Sequence, residues 1–115
     1  MTTRDKIKPF VIVDYDLGAA LHLYSVEDYK QELFDTRKDE GFTGCGYDWA
    51  ELAELFIQDR MPDIADDIQF DPEYSMFTAN ADDSIILEAF GSAFKAALDD
   101  DFYILRLFNQ LPPKK

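Results

Sequence analysis

The stretch EGFTGCGYDWAEL, residues 40–52, decides how this chain folds, because it joins a glycine-rich loop to the start of a helix. It holds three of the five glycines, the only cysteine and the only tryptophan. A glycine loop that leads into a helix can cradle a phosphate when backbone N–H groups and a basic residue are available. Residues 39–59 contain six acidic residues and no basic residue, so a phosphate would be repelled. The stretch therefore predicts a structural loop and a helix start.

The spacing within this stretch is typical of a capped helix N-terminus. With Asp48 as the N-cap, Glu51 is the third helical residue, which gives the Asp form of a capping box. Tyr47 and Leu52 then have the spacing of a hydrophobic staple. Apolar residues recur at helical intervals until shortly before a proline, which predicts a helix over 49–60. One or more of the three glycines is expected to have a positive φ.

The remaining elements are predicted from apolar periodicity and turn residues. The expected strands are 9–15, 20–25 and two within 67–80, and the expected helices are 26–36, 49–60, 82–100 and 102–111. Three adjacent acids, Asp99–Asp101, should separate the last two helices. The order ββ-α-α-ββ-α-α predicts an α+β fold, in which two β-hairpins form one antiparallel sheet packed with about four helices. The length fits a single domain over 1–115.

The chain is strongly acidic, with 24 acidic and 11 basic residues and a formal net charge of −13. Nucleic-acid binding depends on basic residues that neutralise phosphates, so we expect no nucleic-acid partner. We also expect no membrane partner, because an anionic membrane surface would repel the chain and no segment approaches the ~20 apolar residues of a span. A single cysteine cannot form an internal disulfide and does not indicate an oxidising compartment. The expected location is the cytoplasm, and no cofactor is expected.

Acidic residues concentrate in the second half of the chain. Residues 61–113 hold eleven acidic and two basic residues. A cluster around the start of the second hairpin consists of Asp63, Asp66, Asp67, Asp71 and Glu73. One interpretation is a solvated surface, and the other is a docking patch that attracts a basic protein. In the second case, exposed aromatic residues beside the acids would anchor the partner, and Tyr74 and Phe42 are the candidates.

Other residues permit catalytic or metal-binding interpretations, but their spacing does not single any of them out. The DYD segment at 14–16 has a metal-binding pattern, to which Asp71 and Glu73 would add carboxylates. Such a pattern arises easily by chance in a chain with 24 acidic residues. Cys45 and His22 are the only cysteine and the only histidine for a nucleophile–base pair, and no motif surrounds either. We expect no metal site and no catalytic residue.

Two blocks of the sequence resemble the bacterial immunity protein 51 family, which is encoded beside polymorphic toxins. Residues 39–53, DEGFTGCGYDWAELA, resemble the family pattern D-E-G-[FY]-x-G-N-G-Y-D-W-x-x-L-A. Residues 70–77, FDPEYSMF, resemble a second block, F-D-P-E-x-x-M-F. With LFDTR at 33–37 and AFKAALDDD at 93–101, the similarity extends over roughly residues 29–108. The motif positions are Gly41, Gly44, Gly46, Tyr47, Asp48, Trp49, Phe70, Asp71, Pro72, Glu73, Met76 and Phe77.

The chain departs from the family pattern at Cys45, where the family usually has Asn. Asn tolerates a left-handed backbone better than Cys, so Cys45 would be strained if this position needed a positive φ. We expect the motif residues to mark the scaffold rather than the interface.

The resemblance implies a small α+β immunity protein that neutralises a cognate toxin domain by stoichiometric protein–protein binding, without catalysis. The acidic excess would suit a basic target such as a nuclease toxin. The alternatives are a small carboxylate- or metal-dependent hydrolase and an adaptor whose partner is not a toxin. Neither the toxin, nor the contact residues, nor the oligomeric state follows from the sequence.

Overall fold

Two antiparallel hairpins form one four-stranded sheet, which confirms the predicted sheet. In the computed structural model, which describes residues 2–115, the strands are β1 (Val11–Tyr15), β2 (Gly18–Leu23), β3 (Gln69–Phe70) and β4 (Phe77–Ala81). The strand order is β1-β2-β4-β3, and each neighbouring pair is antiparallel. The two hairpins meet along β2 and β4, where Leu21 lies opposite Ala79. The two central strands therefore come from different hairpins.

Five α-helices accompany the sheet in the described part of the chain, where the sequence predicted about four. They are α1 (Thr3–Lys6), α2 (Gln31–Asp35), α3 (Gly46–Arg60), α4 (Ser84–Leu98) and α5 (Asp101–Phe108). The additional helix is the short α1, which the sequence analysis did not predict. α3 and α4 pack on the sheet, and α5 packs on α3 and α4. None of the helices within residues 2–115 has the length and apolarity that a membrane crossing needs.

Trp49, in the first turn of α3, lies at the centre of an aromatic core between the sheet and the helices. Its side chain is fully buried. Its ring centroid lies 5.7 Å from that of Tyr29 and 5.3 Å from that of Phe34. It also lies 6.1 Å from the ring centroids of Phe10 and Phe94. Aromatic pairs at such distances stabilise a core by more than their buried area alone. The helix start predicted from the opening stretch thus supplies the central residue of the core.

The sheet has one face in the core and one face towards solvent. Ile12, Leu21 and Ala79, which lie opposite one another across three strands, belong to the core. Alternate residues of these strands point the other way. Asp71 continues the pairing of β3, because its N–H donates to the carbonyl oxygen of Thr78 at 3.0 Å. We call the second face the open face; it consists of Val11, Val13, Tyr15, Ala20, His22, Tyr24, Gln69, Asp71, Thr78 and Asn80.

The predicted helix over 26–36 is wrong in its first half. Val26–Asp28 forms a 3-10 turn, Tyr29 has an extended backbone, and Lys30 has a left-handed φ of 58°. Only α2 is helical in this segment. The extended backbone of Tyr29 allows its ring to stack on Trp49, with only 6° between the ring planes. Core packing therefore outweighs the local helical spacing, which is a weak preference by comparison.

The acids at 99–101 separate the last two helices as predicted, although the third, Asp101, is the first residue of α5. α4 ends one residue before Asp99, and Asp100 is the N-cap of α5. The carboxylate of Asp100 accepts the backbone N–H of Tyr103 at 3.1 Å. The Asp99 carboxylate is bound by Lys95 at 2.7 Å. Both helices end a few residues earlier than the predicted 82–100 and 102–111.

Candidate functional site at the junction of the two motifs

The two sequence blocks, which are separated by about one helix and one strand, pack directly on each other. The N–H of Gly46, the first residue of α3, donates to the carbonyl oxygen of Tyr74 at 2.8 Å. A Cβ at Gly46 would overlap the carbonyl oxygens of Glu73 and Met76. The turn itself is closed by two backbone hydrogen bonds between Glu73 and Met76, of 2.8 and 3.2 Å. Glycine is therefore needed at this position for close approach, not for an unusual φ. We call this contact between 41–49 and 70–77 the motif junction.

The predicted capping box is wrong, because α3 begins three residues earlier than the sequence indicated. Asp48 is the third helical residue rather than the N-cap. Its buried carboxylate accepts the N–H groups of Thr43 at 2.8 Å and Gly44 at 3.0 Å, so it ties down the preceding loop. Glu51 instead pairs with Lys114 on the surface. The staple is wrong as well, because Tyr47 lies inside the first turn and is half exposed.

Cys45 occupies the N-cap position of α3 in an unstrained conformation. Its φ of −71° and ψ of 172° are ordinary extended values, and its side chain makes no capping hydrogen bond. The condition under which Cys45 would be strained, a positive φ, is therefore not met. The prediction of positive φ among the glycines is confirmed at Gly41, with φ 99°, and Gly44, with φ 77°. The Asn of the family pattern is a preferred N-cap residue, which gives that position a physical role.

The C-terminal segment closes the glycine loop from the other side. The backbone N–H groups of Lys114 and Lys115 donate to the carbonyl oxygen of Glu40, at 2.8 and 3.1 Å. The ammonium group of Lys114 lies 2.9 Å from a carboxylate oxygen of Asp48. A buried carboxylate is stable only when it is paired and hydrogen-bonded, and Asp48 has both kinds of partner. No local sequence signal indicates this role of Lys114, because the C-terminal segment and the glycine loop are distant along the chain.

Phe42 is buried, so the prediction that it is an exposed anchor is wrong. Its side chain is 2% exposed, and its ring lies 4.9 Å from that of Phe108. The guanidinium of Arg37 lies 4.7 Å from the centre of the Phe42 ring. The same guanidinium donates to the carbonyl oxygen of Phe108 at 2.7 Å and to both carboxylate oxygens of Glu40. Arg37 was missed as a structural residue, although its position within LFDTR, the third matching segment, was the available signal.

The exposed side chains of the motif junction are mainly aromatic and polar. Tyr74 is 64% exposed and Tyr47 is 51% exposed. Tyr74 forms one wall of a cavity of about 150 Å³, which Val26, Thr43 and Cys45 also line. Tyrosines of this kind, with a large ring and a polar end, are common anchors of protein interfaces.

The five acids of the predicted docking patch are all exposed, but they form two groups. Asp63, Asp66 and Asp67, which we call the turn acids, lie in the 3-10 turn that follows the C-terminal end of α3. Asp71 and Glu73, which we call the junction acids, lie beside the N-terminal end of α3. Asp66 shares a cavity of about 460 Å³ with residues in the second half of α3. Asp67 and Asp71 are four residues apart along the chain, so the two groups lie within about 14 Å of each other at this point.

None of these five carboxylates lies within ion-pair distance of a basic side chain in the described residues 2–115. Their charges are therefore available to attract a partner. In contrast, Asp14 of the DYD segment is bound by Arg4 through hydrogen bonds of 2.7 and 3.0 Å. That hydrogen bonding lowers the pKa of Asp14, as the hydrogen bonds from Arg37 lower the pKa of Glu40.

The residues considered for metal binding and catalysis do not form a common site. Within residues 2–115 there is no group of three or more His, Cys, Asp or Glu side chains placed to hold a metal ion. His22 lies on the open face, where its Nδ1 is 2.9 Å from the hydroxyl oxygen of Thr78. Burial lowers the pKa of His22, which favours the neutral ring. Cys45 lines the small cavity at the motif junction instead.

Comparison with known families agrees with the resemblance of the two blocks. A sequence model described as immunity protein 51 matches residues 10–112, nearly the whole chain. No curated protein and no solved structure is similar enough to the chain to count as a match.

Replacing Gly46 by Ala tests the motif junction. We expect Gly46→Ala to lower the free energy of unfolding by about 3 kcal/mol or more, because the added methyl overlaps two backbone carbonyl oxygens that cannot move freely. Gly44→Ala is the comparison, since it adds a strained φ of 77° but meets only the flexible Gln31 side chain. Its expected loss is about 1–2 kcal/mol. Urea denaturation measures the unfolding free energy of both variants. A smaller loss for Gly46→Ala than for Gly44→Ala would contradict the close backbone packing at the motif junction.

Replacing Asp48 by Ala tests its role as a loop anchor. We expect Asp48→Ala to cost about 2–3 kcal/mol of unfolding free energy, because two backbone N–H groups lose their acceptor and Lys114 loses a buried partner. Glu51→Ala is the matched control, since it removes a partly exposed partner of the same lysine. Its expected cost is below about 1 kcal/mol. Equal losses of unfolding free energy for the two variants would contradict the role of Asp48 as loop anchor and would support the capping box predicted from the sequence.

Proposed function

This chain belongs to the immunity protein 51 family and is an immunity protein of a toxin system; from that premise, we propose that it neutralises a cognate toxin domain by binding it directly and stoichiometrically. The bound chain would cover the active site of the toxin or a neighbouring surface. Neutralisation of this kind needs complementary surfaces and no catalytic residue. The proposed place of action is the cytoplasm, where the toxin domain would otherwise act on the cell that makes both proteins.

The observation that supports direct binding is the free acidic surface. The chain carries a net charge of −13, and its five patch carboxylates are exposed and lack ion-pair partners within residues 2–115. Such a surface attracts a positively charged protein and speeds its association, especially at low salt. We therefore propose a basic toxin domain, of which a nuclease is one kind, since nucleases that bind phosphates are often basic themselves.

Co-expression with toxin domains from neighbouring genes tests this function. We expect the chain to restore growth of cells that express its cognate toxin domain, and the two proteins to elute together as a one-to-one complex from a sizing column. Cells that carry the toxin domain and an empty vector provide the control. The function is contradicted when none of the neighbouring domains is neutralised and no complex forms.

Charge reversal of the turn acids tests electrostatic attraction separately. We expect Asp66→Lys combined with Asp67→Lys to slow association with the toxin domain by about tenfold at low salt, with little change in dissociation. The control is Glu32→Lys combined with Asp35→Lys, which changes the net charge equally on the exposed surface of α2. Stopped-flow association rates at several salt concentrations measure the effect. Equal slowing by both pairs would indicate that net charge acts without a local patch.

A further inference from the structure

Exposed apolar side chains concentrate on the first hairpin, on and beside the open face. Four of the nine exposed large hydrophobic residues of the described chain lie within residues 11–24. Leu17, at the tip of the hairpin, is 92% exposed, and Tyr15 and Tyr24 are 58% and 53% exposed. Val11, the fourth, is 40% exposed. Exposed apolar groups that gather in one place on a small soluble protein often mark an interaction site.

The side chains in the middle of the open face are closely packed. Ala20, Thr78 and His22 are nearly buried between their neighbours, with exposures of 1%, 5% and 9%. His22 is held on one side by Thr78, at 2.9 Å, and on the other by the ring of Tyr24, whose centroid lies 5.1 Å away. Side chains that are fixed before binding lose little conformational entropy on binding. The face therefore offers a rigid surface with tyrosines at its margins.

The only charged side chain among the residues of the open face is that of Asp71. The four strands contain no lysine and no arginine. Asp71 lies on the face beside Thr78, and Glu73 pairs with Met76 just beyond it. At the other end, Asp82 lines a cavity of about 280 Å³ together with Tyr15 and Leu17. A partner that covers this face must therefore bring positive charge to satisfy an acidic margin.

We propose that the open face, extended by the hairpin tip at Leu17 and by the turn at Tyr74, is the surface that binds the toxin domain. This inference rests on the proposed function and assigns it a location. The occupant is a basic protein surface, whose lysine and arginine stems pack on Tyr15 and Tyr24. Their charged ends reach the acids at the two ends of the face, Asp82 beside Tyr15 and Glu73 near Tyr24. A second copy of this chain is disfavoured, because two such faces would bring the same acids together.

The size of the face explains why the surface must extend beyond the strands. Four strands about 4.8 Å apart, of which three have five or six residues and β3 has two, give a face of at most roughly 15 by 17 Å, or about 250 Å². A stable complex of ordinary size buries about 800 Å² on each partner. The strands alone supply about a third of that area, so Leu17 on one side and Tyr74 on the other are included. The turn acids border the β3 edge of this surface, because the side chain of Gln69 on the open face donates to the carbonyl oxygen of Asp66 at 3.4 Å, and they attract the partner as it approaches.

Substitution of the marginal tyrosines tests the surface. The probe is the neighbouring toxin domain, purified from the co-expressed complex and titrated against variants of the full chain. We expect Tyr15→Ser and Tyr24→Ser each to raise Kd by about tenfold or more, mainly through faster dissociation. Ile85→Ser and Phe102→Ser are matched controls, because these helix residues are 69% and 75% exposed. Their Kd should stay within about twofold of the original value. Circular dichroism confirms that each variant is folded.

The outcomes separate the location from the function. Weaker binding by the helix variants with unchanged binding by the tyrosine variants overturns the proposed surface, while the immunity function stands. Absence of any complex with the unchanged chain overturns both. Sedimentation of the chain alone provides the remaining outcome: a dimer that Tyr15→Ser converts to a monomer identifies the open face as a self-association surface and overturns the proposal.

Discussion

The close approach of two backbones at Gly46 is the constraint on which the rest of the structure depends. The N–H of Gly46 reaches the carbonyl oxygen of Tyr74, and no side chain fits between helix and turn. This contact sets the start of α3, and the third residue after Gly46 is Trp49, the centre of the aromatic core. It also fixes the turn that leads into β4, one of the two central strands. One glycine thus couples the first helix turn, the core and the sheet.

The sheet and most helices follow from the sequence because their signals are local. Alternating strands, turn residues and the acids at 99–101 each act within a few residues. The errors occur where distant groups compete with local ones. Asp48 and Glu51 have the spacing of a capping box, but their partners lie elsewhere. Asp48 accepts two N–H groups of the glycine loop, and both carboxylates pair with Lys114. Tyr29 is not helical, although its spacing predicts a helix, because its ring stacks on that of Trp49. Residues close to Tyr29 in the sequence do not indicate that contact.

The exposure of the acidic residues in the candidate site could be predicted from the sequence, but that of its aromatic residues could be predicted only in part. Carboxylates are costly to bury, so the exposure of the patch acids follows from their chemistry. An aromatic side chain can be either buried or exposed. Phe42 is buried against the guanidinium of Arg37, whereas Tyr74 is exposed. The open face was not predicted either, because sequence alternation indicates two faces of a sheet without showing which one the helices cover. Most motif residues build the scaffold, whereas the exposed motif acids Asp71 and Glu73 belong to the surface that we propose for the partner.

Amide hydrogen exchange of the chain, alone and bound to its neighbouring toxin domain, tests this account most directly. Residues 15–18 and 71–76 are exposed turns at the two margins of the proposed surface, while 99–106 lies on the helical side. The account predicts slower exchange in the complex at 15–18 and 71–76, with unchanged exchange at 99–106. Slower exchange at 99–106, with no change in the two turns, would contradict it.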